Sequence, residues 1–290
     1  TLLYANYSVG NLPGGFNPEV GELDTAALAE LEALSPGAST TFGEEKLVNY
    51  EIGWKQTAFD NALAFNLAAF YMRRSDEIFN TVEFVSDNRP TAPNPKRTVN
   101  FNDNGATTDI YGVELDATLN LTDNLTLQGS FAYIDATIAS FPAGEGAGDF
   151  NDIFGPDANV KGQQAPRFPP YSGSFAATYE QPINGYFDSW FTRADLFYTG
   201  SYYDSNANTA KTQVATEVNL RAGLQNDRLR VEFFVTNLFD EDAVQSANNF
   251  ADLSLNVRGQ PGGLFDLRRE NVQVGLRPKR QFGGRVSLSF

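Results

Sequence analysis

The sequence predicts an all-β protein, an antiparallel β-barrel that crosses a membrane, and three observations carry that prediction. Segments in which apolar and polar residues alternate recur about ten times, each near the 9–11 residues that cross a bilayer at a tilt. The connections alternate as well, short turns with long links, as in a barrel whose two rims carry different loops. No stretch approaches the roughly 18 consecutive apolar residues of a membrane helix, so strands must make any crossing.

Side chains of a strand change face at every residue, so each alternating segment supplies one apolar face and one polar face. Leu3, Ala5, Tyr7 and Val9 open the series, opposed by Tyr4, Asn6 and Ser8. Val48, Tyr50, Ile52 and Trp54 follow, then Leu63, Phe65, Leu67, Ala69 and Tyr71. The cleanest run sets Tyr111, Val113, Leu115, Ala117, Leu119 and Leu121 against Gly112, Glu114, Asp116, Thr118 and Asn120. Next come Leu125, Leu127, Phe131 and Tyr133; Phe175, Ala177 and Tyr179; and Trp190, Ala194, Leu196 and Tyr198. Val218 to Leu224 and Leu229 to Val235 repeat the pattern. The chain closes on Val286, Leu288 and Phe290 facing one way, predicted outward, with Arg285, Ser287 and Ser289 inward.

Short turns fall at 59–62, 122–124, 184–185 and 225–228, rich in the Asn, Asp and Gly that hairpins tolerate. Long links cover roughly 11–45, 74–106, 140–168, 203–211 and 241–279. Within the first of these, 24–34 reads as a short helix: Asp24 is the N-cap, Ser35-Pro36-Gly37 the stop, and Ala27, Leu31 and Leu34 share one face. Alternating strand direction puts Tyr7, Tyr50, Tyr71, Tyr111, Tyr133, Tyr171 and Tyr202 at the long-loop end, where amphipathic rings suit a headgroup layer. Tyr179, Trp190 and Phe290 fall nearer the other rim.

The formal charge of −15 argues against nucleic acid as a partner. The chain has no cysteine and no histidine, which removes disulfides, thiolate metal sites and Ser-His or Cys-His hydrolases. No cofactor is expected. Charges facing lipid would cost about 2–4 kcal/mol each near the midplane, so charged strand residues are expected to face the lumen. The candidate ligand-facing set is Glu51, Lys55, Glu114, Asp116, Arg193, Asp195, Glu217 and Arg221, with Asn49, Arg230 and Glu232 beside them. Hydrogen bonding and ion pairing among themselves or with other groups inside the barrel is the plainer role for the same set. In one long loop Asp149, Asp152 and Asp157, near Asn151, offer oxygen ligands for Ca²⁺, although their spacing fits no established loop and an acidic solvated loop is the plainer reading. Loop residues Phe16, Phe42, Phe141, Phe150, Phe154 and Phe250 could form an external binding surface or pack the loops together.

Several segments, taken in order, carry a family resemblance. Gly10-Asn-Leu-Pro-Gly-Gly-Phe-Asn17 resembles a glycine-rich Pro-Gly-Gly-Phe-Asn segment, departing from it at Asn11-Leu12. Glu45 with Asn49-Tyr-Glu-Ile-Gly-Trp-Lys55 is similar to an Asn-Tyr-Glu-x-Gly-x-Lys segment, and Asp109-Ile-Tyr-Gly-Val-Glu-Leu115 to a Gly-x-Glu-Leu strand. Pro166-Arg-Phe-Pro-Pro-Tyr171, Thr236-Asn-Leu-Phe-Asp240 and Arg280-Gln-Phe-Gly with the terminal Phe290 complete the set. Together they resemble the C-terminal barrel portion of a TonB-dependent outer-membrane receptor.

The resemblance implies about the last ten strands of a 22-stranded barrel, spanning 1–290, with plug domain and N-terminal strands absent. Thr1 follows no methionine or leader, so a processed product or a fragment is expected. The implied function is active import of a scarce solute (siderophore, cofactor, oligosaccharide or peptide) across a Gram-negative outer membrane. Implied partners are outer-membrane lipid and lipopolysaccharide, TonB–ExbB–ExbD through the N-terminal region, and the barrel assembly machinery through Phe290. A passive porin is the alternative. A hydrolase is disfavoured by the missing histidine.

Overall fold

In a computed structural model, residues 1–89, 95–142, 159–251 and 270–289 are described. The elements in chain order are β1 (Leu2–Leu12), β2 (Gly15–Phe16), α1 (Pro18–Gly21), α2 (Thr25–Leu34), β3 (Thr41–Phe42) and β4 (Glu45–Ala58). Then come β5 (Leu63–Ser86), β6 (Lys96–Thr122), β7 (Leu125–Ser140), β8 (Tyr171–Pro182) and β9 (Ser189–Thr199). The chain ends with β10 (Ala215–Gln225), β11 (Leu229–Thr236), β12 (Val244–Ala251), β13 (Glu270–Leu276) and β14 (Gln281–Leu288). Ten of these strands form one antiparallel sheet in the order β1-β4-β5-β6-β7-β8-β9-β10-β11-β14. Its edges, β1 and β14, do not pair with each other, so the sheet is an open section of barrel wall.

Register turns the alternation of each strand into a single surface. Leu3, Trp54 and Leu67 are successive cross-strand partners and continue into Leu115 and Phe131. On the far side, Leu224, Val231 and Val286 do the same. The result is a continuous apolar face on which Ile52, Phe233, Val286 and Leu288 all stay exposed. In water such an area would drive association, whereas against lipid tails it is at home. Phe290 lies outside the described residues.

Tyrosines border this face. Tyr7 and Tyr50 rings lie 5.2 Å apart, Tyr50 and Tyr71 6.4 Å, and Tyr71 pairs in register with Tyr111. One step lower, Tyr133 and Tyr171 are 5.2 Å apart. Tyr202 lies past the end of β9 and donates to the Gln245 carbonyl, tying two loops rather than joining the row. At the opposite rim Tyr179 and Trp190 are 5.4 Å apart.

The tight turns follow from local chemistry. Phe59, Asp60 and Asn61 take φ of 54, 52 and 70°, closing β4 onto β5. Thr122 Oγ1 accepts the Asn124 and Leu125 N–H groups, and Asn226 Oδ1 accepts those of Arg228 and Leu229. Each side chain satisfies backbone donors that the turn takes out of the ladder.

Two long links hold more strand than their sequence suggests. Residues 74–106 are mostly β5 and β6 continuing past the tyrosine row as a two-stranded ribbon. Register shifts near Arg74, Glu77 and Phe79, with Asp76 at φ 52° and Gly105 at φ 127°, break the period-2 signal without ending the pairing. Likewise β12 and β13 form a hairpin within 241–279. The loop helix is α2, capped by Asp24 Oδ1 accepting the Ala27 N–H at 2.8 Å. Ala27 and Leu31 pack on Val85, Val99 and Phe101 of the ribbon, but Leu34 is exposed; Leu23 and Leu28 complete that contact instead.

The Asn-Leu-Phe-Asp segment is a staple. Asn237, buried at φ 49°, donates from Nδ2 to the carbonyls of Glu241 and Pro278 and accepts the Glu241 N–H, while its own N–H reaches Asn219. Asp240 accepts the Arg280 N–H. The end of β11 is thereby fixed to β10 and to the start of β14.

Candidate functional site

The face opposite the apolar one is the candidate site, because every predicted charged residue projects there by parity. Its floor is unexpectedly aromatic. Tyr4, Phe70, Phe191 and Phe234 each lie across a glycine that is their direct register partner, Gly53, Gly112, Gly223 and Gly283 respectively. Of these rings, alternation alone set only Tyr4 on this face. The signal was present as glycines interrupting otherwise regular strands.

Three of the predicted residues meet in an ionic cluster. The Asp195 carboxylate is buried at 4 % exposure and accepts from Arg193 Nε at 2.8 Å and Arg221 at 3.0 Å. Arg193 also donates to Gln128 and Thr178. Next to them Glu232, equally buried, binds Arg230 at 2.9 Å and faces Arg285 at 3.8 Å. The Arg230 guanidinium stacks 3.8 Å from the Phe191 ring centroid. Glu180 accepts from Ser189 and Gln225, and a shallow cavity of about 310 Å³ opens between Thr178, Glu180, Phe191 and Arg193. Four arginines therefore surround three carboxylates.

The other predicted residues stand apart from this cluster. Glu51 accepts the Tyr4 hydroxyl at 2.8 Å, and Lys55 lies 5.6 Å from the same ring. Glu114 and Asp116 are register partners of Ala68 and Asn66, on the wall beside Ser130 and Ser174. Glu217 pairs with Arg277 at 2.7 Å, toward the long-loop rim. Asp149, Asp152 and Asp157 lie outside the described residues, as do Asn151, Phe150, Phe154 and the Phe250 side chain. Among the aromatic loop residues, Phe141 is buried in a core with Ile138 and Ala165, and Phe16 is exposed.

One group escaped the sequence reading. Beyond the tyrosine row, the buried Glu45 takes two hydrogen bonds from Arg74, the Nη2 bond at 2.9 Å, and Glu77 lies 3.6 Å from the same guanidinium. Glu45 stood within a recognised segment, but its partners lie 29 and more residues away across a bulged ribbon that reads as loop. What all these groups offer is charge pairing and hydrogen bonding along a wall, the chemistry of docking.

The family model described as TonB dependent receptor-like, beta-barrel matches residues 1–238. No curated relative matches the chain. Among solved structures, the ferric yersiniabactin uptake receptor FyuA from Yersinia pestis is similar at 16 % identity and a TM-score of 0.67, over 99 % of this chain and 35 % of its own. BauA, the ferric preacinetobactin receptor from Acinetobacter baumannii, is similar at 17 % identity and 0.58, over 99 % and 34 %. The copper transporter OprC gives 16 % and 0.58, over 99 % and 37 %. The chain thus spans about a third of the length of these structures, and identities this low speak for the fold alone.

Proposed function

Because this chain belongs to the TonB-dependent receptor-like β-barrel family, we propose that it is wall of an outer-membrane receptor that imports a scarce solute with TonB-derived energy. The observation that carries this reading is the matched pair of faces: a continuous apolar surface bordered by tyrosines, backed by a wall of paired charges. The first face suits the lipid and lipopolysaccharide of a Gram-negative outer membrane. The second suits a polar body inside the barrel, which in this family is the plug, the domain through which TonB–ExbB–ExbD acts. The arginine excess around Asp195 and Glu232 favours an acidic stretch of that body. Phe290 would be the signal read by the barrel assembly machinery.

Two of the similar structures are named for uptake of ferric yersiniabactin and for copper transport, so metal-loaded chelates are the first solutes to test. Cofactors, oligosaccharides and peptides form the second panel. The test is uptake of labelled solutes by cells carrying the full-length receptor, with TonB present or deleted. Accumulation should require both the receptor and TonB. Flux that persists undiminished without TonB would identify a passive porin and end the proposal.

A further inference from the structure

The Glu45–Arg74–Glu77 group borders a cavity of about 200 Å³ on the inner side of the wall, beyond the tyrosine row. That is room for six or seven waters at about 30 Å³ each, or for one compact substituent of a larger solute. Phe79, Phe141 and Phe168 supply an apolar, aromatic lining, and Arg74, Glu77 and Thr108 its polar end. Two carboxylates share one guanidinium here, and Arg74 commits Nε and Nη2 to Glu45. Glu45 is also fixed by the Ile78 N–H at 3.0 Å. Burial acts to raise its pKa, but those hydrogen bonds outweigh burial and hold it low, so it stays ionised.

Glu77 is left over. Its nearer contact with Arg74 is 3.6 Å, too long for a hydrogen bond, and its Oε1 is buried with no hydrogen-bond partner among the described residues. Burial is the main influence on this carboxyl and raises it, against smaller opposing effects of Thr108 and Arg74. A buried oxygen without a partner beside a lined cavity is an unfilled requirement for a donor. An ammonium would meet it twice over, donating to the carboxyl and favouring its ionised form, while its apolar body lies against aromatic faces.

We propose that this cavity is a subsite for a solute group bearing a primary ammonium on a compact apolar or aromatic body. The assignment rests on the receptor reading only in placing the long-loop rim toward the external medium. An ammonium in the cavity donates to the Glu77 carboxyl that lines it, while its body fills the space between the phenylalanines. A carboxylate in the same place brings no donor for Oε1 and adds a negative charge beside two carboxyl groups.

Benzylamine is the probe, with benzyl alcohol and benzoate as neutral and anionic near-isosteres, titrated at pH 7 against full-length protein in detergent by ligand-observed NMR. The native protein should bind the amine at least ten-fold more tightly than the alcohol and exclude benzoate. Glu77→Gln should bring the amine down to the alcohol, and Ala165→Phe, which fills the cavity from another wall residue, should remove both. Equal binding of amine and alcohol by the native protein, no saturable amine binding, or an amine preference that survives Glu77→Gln would each overturn the assignment. The first two outcomes need no variant, so a substitution that fails to fold cannot shield it. None of these titrations involves TonB: an amine-selective cavity in a protein with TonB-independent flux would keep the subsite and remove active transport, and the reverse result would do the opposite.

Discussion

Substituting alanine at Gly53 and at Gly112 should have opposite consequences once the overlying ring is removed. Both glycines face inward beneath an aromatic partner, but their surroundings differ in kind. At Gly53 the three atoms nearest an added Cβ all belong to the Tyr4 side chain, which can yield by rotating about its own χ angles. At Gly112 an added Cβ would overlap the Tyr133 carbonyl oxygen as well as lie 2.7 Å from the Phe70 ring. That oxygen belongs to the β6–β7 ladder and cannot yield without moving a strand. Overpacking of this sort costs about 1–3 kcal/mol, whereas replacing a strand glycine with alanine otherwise gains about 0.5–1 kcal/mol of chain entropy. Gly53→Ala should therefore be neutral to stabilising by up to about 1 kcal/mol in a Tyr4→Ala background. Gly112→Ala should still lose about 1–2 kcal/mol in a Phe70→Ala background. Urea unfolding from detergent micelles, followed by the fluorescence of Trp54 and Trp190, measures both cycles. With urea m-values of about 1–3 kcal/mol/M, the two should separate by roughly 1 M in midpoint. If Phe70→Ala abolished the Gly112→Ala penalty as completely as Tyr4→Ala abolishes that at Gly53, the backbone contact would not be what limits this position.

Asn237→Ala removes three side-chain hydrogen bonds from a buried residue and leaves the Glu241 and Pro278 groups without them. At about 0.5–1.5 kcal/mol each, the expected loss is about 2–4 kcal/mol in the same unfolding assay, with faster proteolysis within 241–279; a loss below about 1 kcal/mol would refute the staple. A third prediction concerns pH. The Glu30 carboxyl is held down to about 2 by its hydrogen bonds to Lys96 and then Ser86 of the ribbon. A carboxyl lowered on folding contributes its stability in full above its unfolded value near ~4.3 and loses it as pH falls toward about 2. Amide exchange in α2 should accordingly quicken across that window while the strands of the ten-stranded sheet stay protected, and Glu30→Gln should flatten the response.

Among the candidate residues, the sequence placed the charges on the face opposite the apolar stripe, but gave partners only within a strand. Asp195 with Arg193 was legible as two residues two apart on one strand, pointing the same way. Arg221, which completes the pair from β10, and Arg285, which faces Glu232 from β14, depend on the relative register of strands. The Glu45–Arg74–Glu77 group depends on it most, since two register shifts separate its members from the regular ladder.

By itself, then, the sequence determined the alternating strands, the lipid-facing stripe, the tyrosine row apart from Tyr202, and the α2 cap. These are local properties: a side chain's face follows from a period of two, and a cap from residues three apart. Tertiary structure alone decided that β5 and β6 run on as a ribbon, that rings cover four glycines, and which carboxylate meets which arginine. Each of those requires strands to be aligned to a single residue across dozens of intervening positions. A one-residue slip would turn the whole inner set outward, and the alternation within any one strand would look the same.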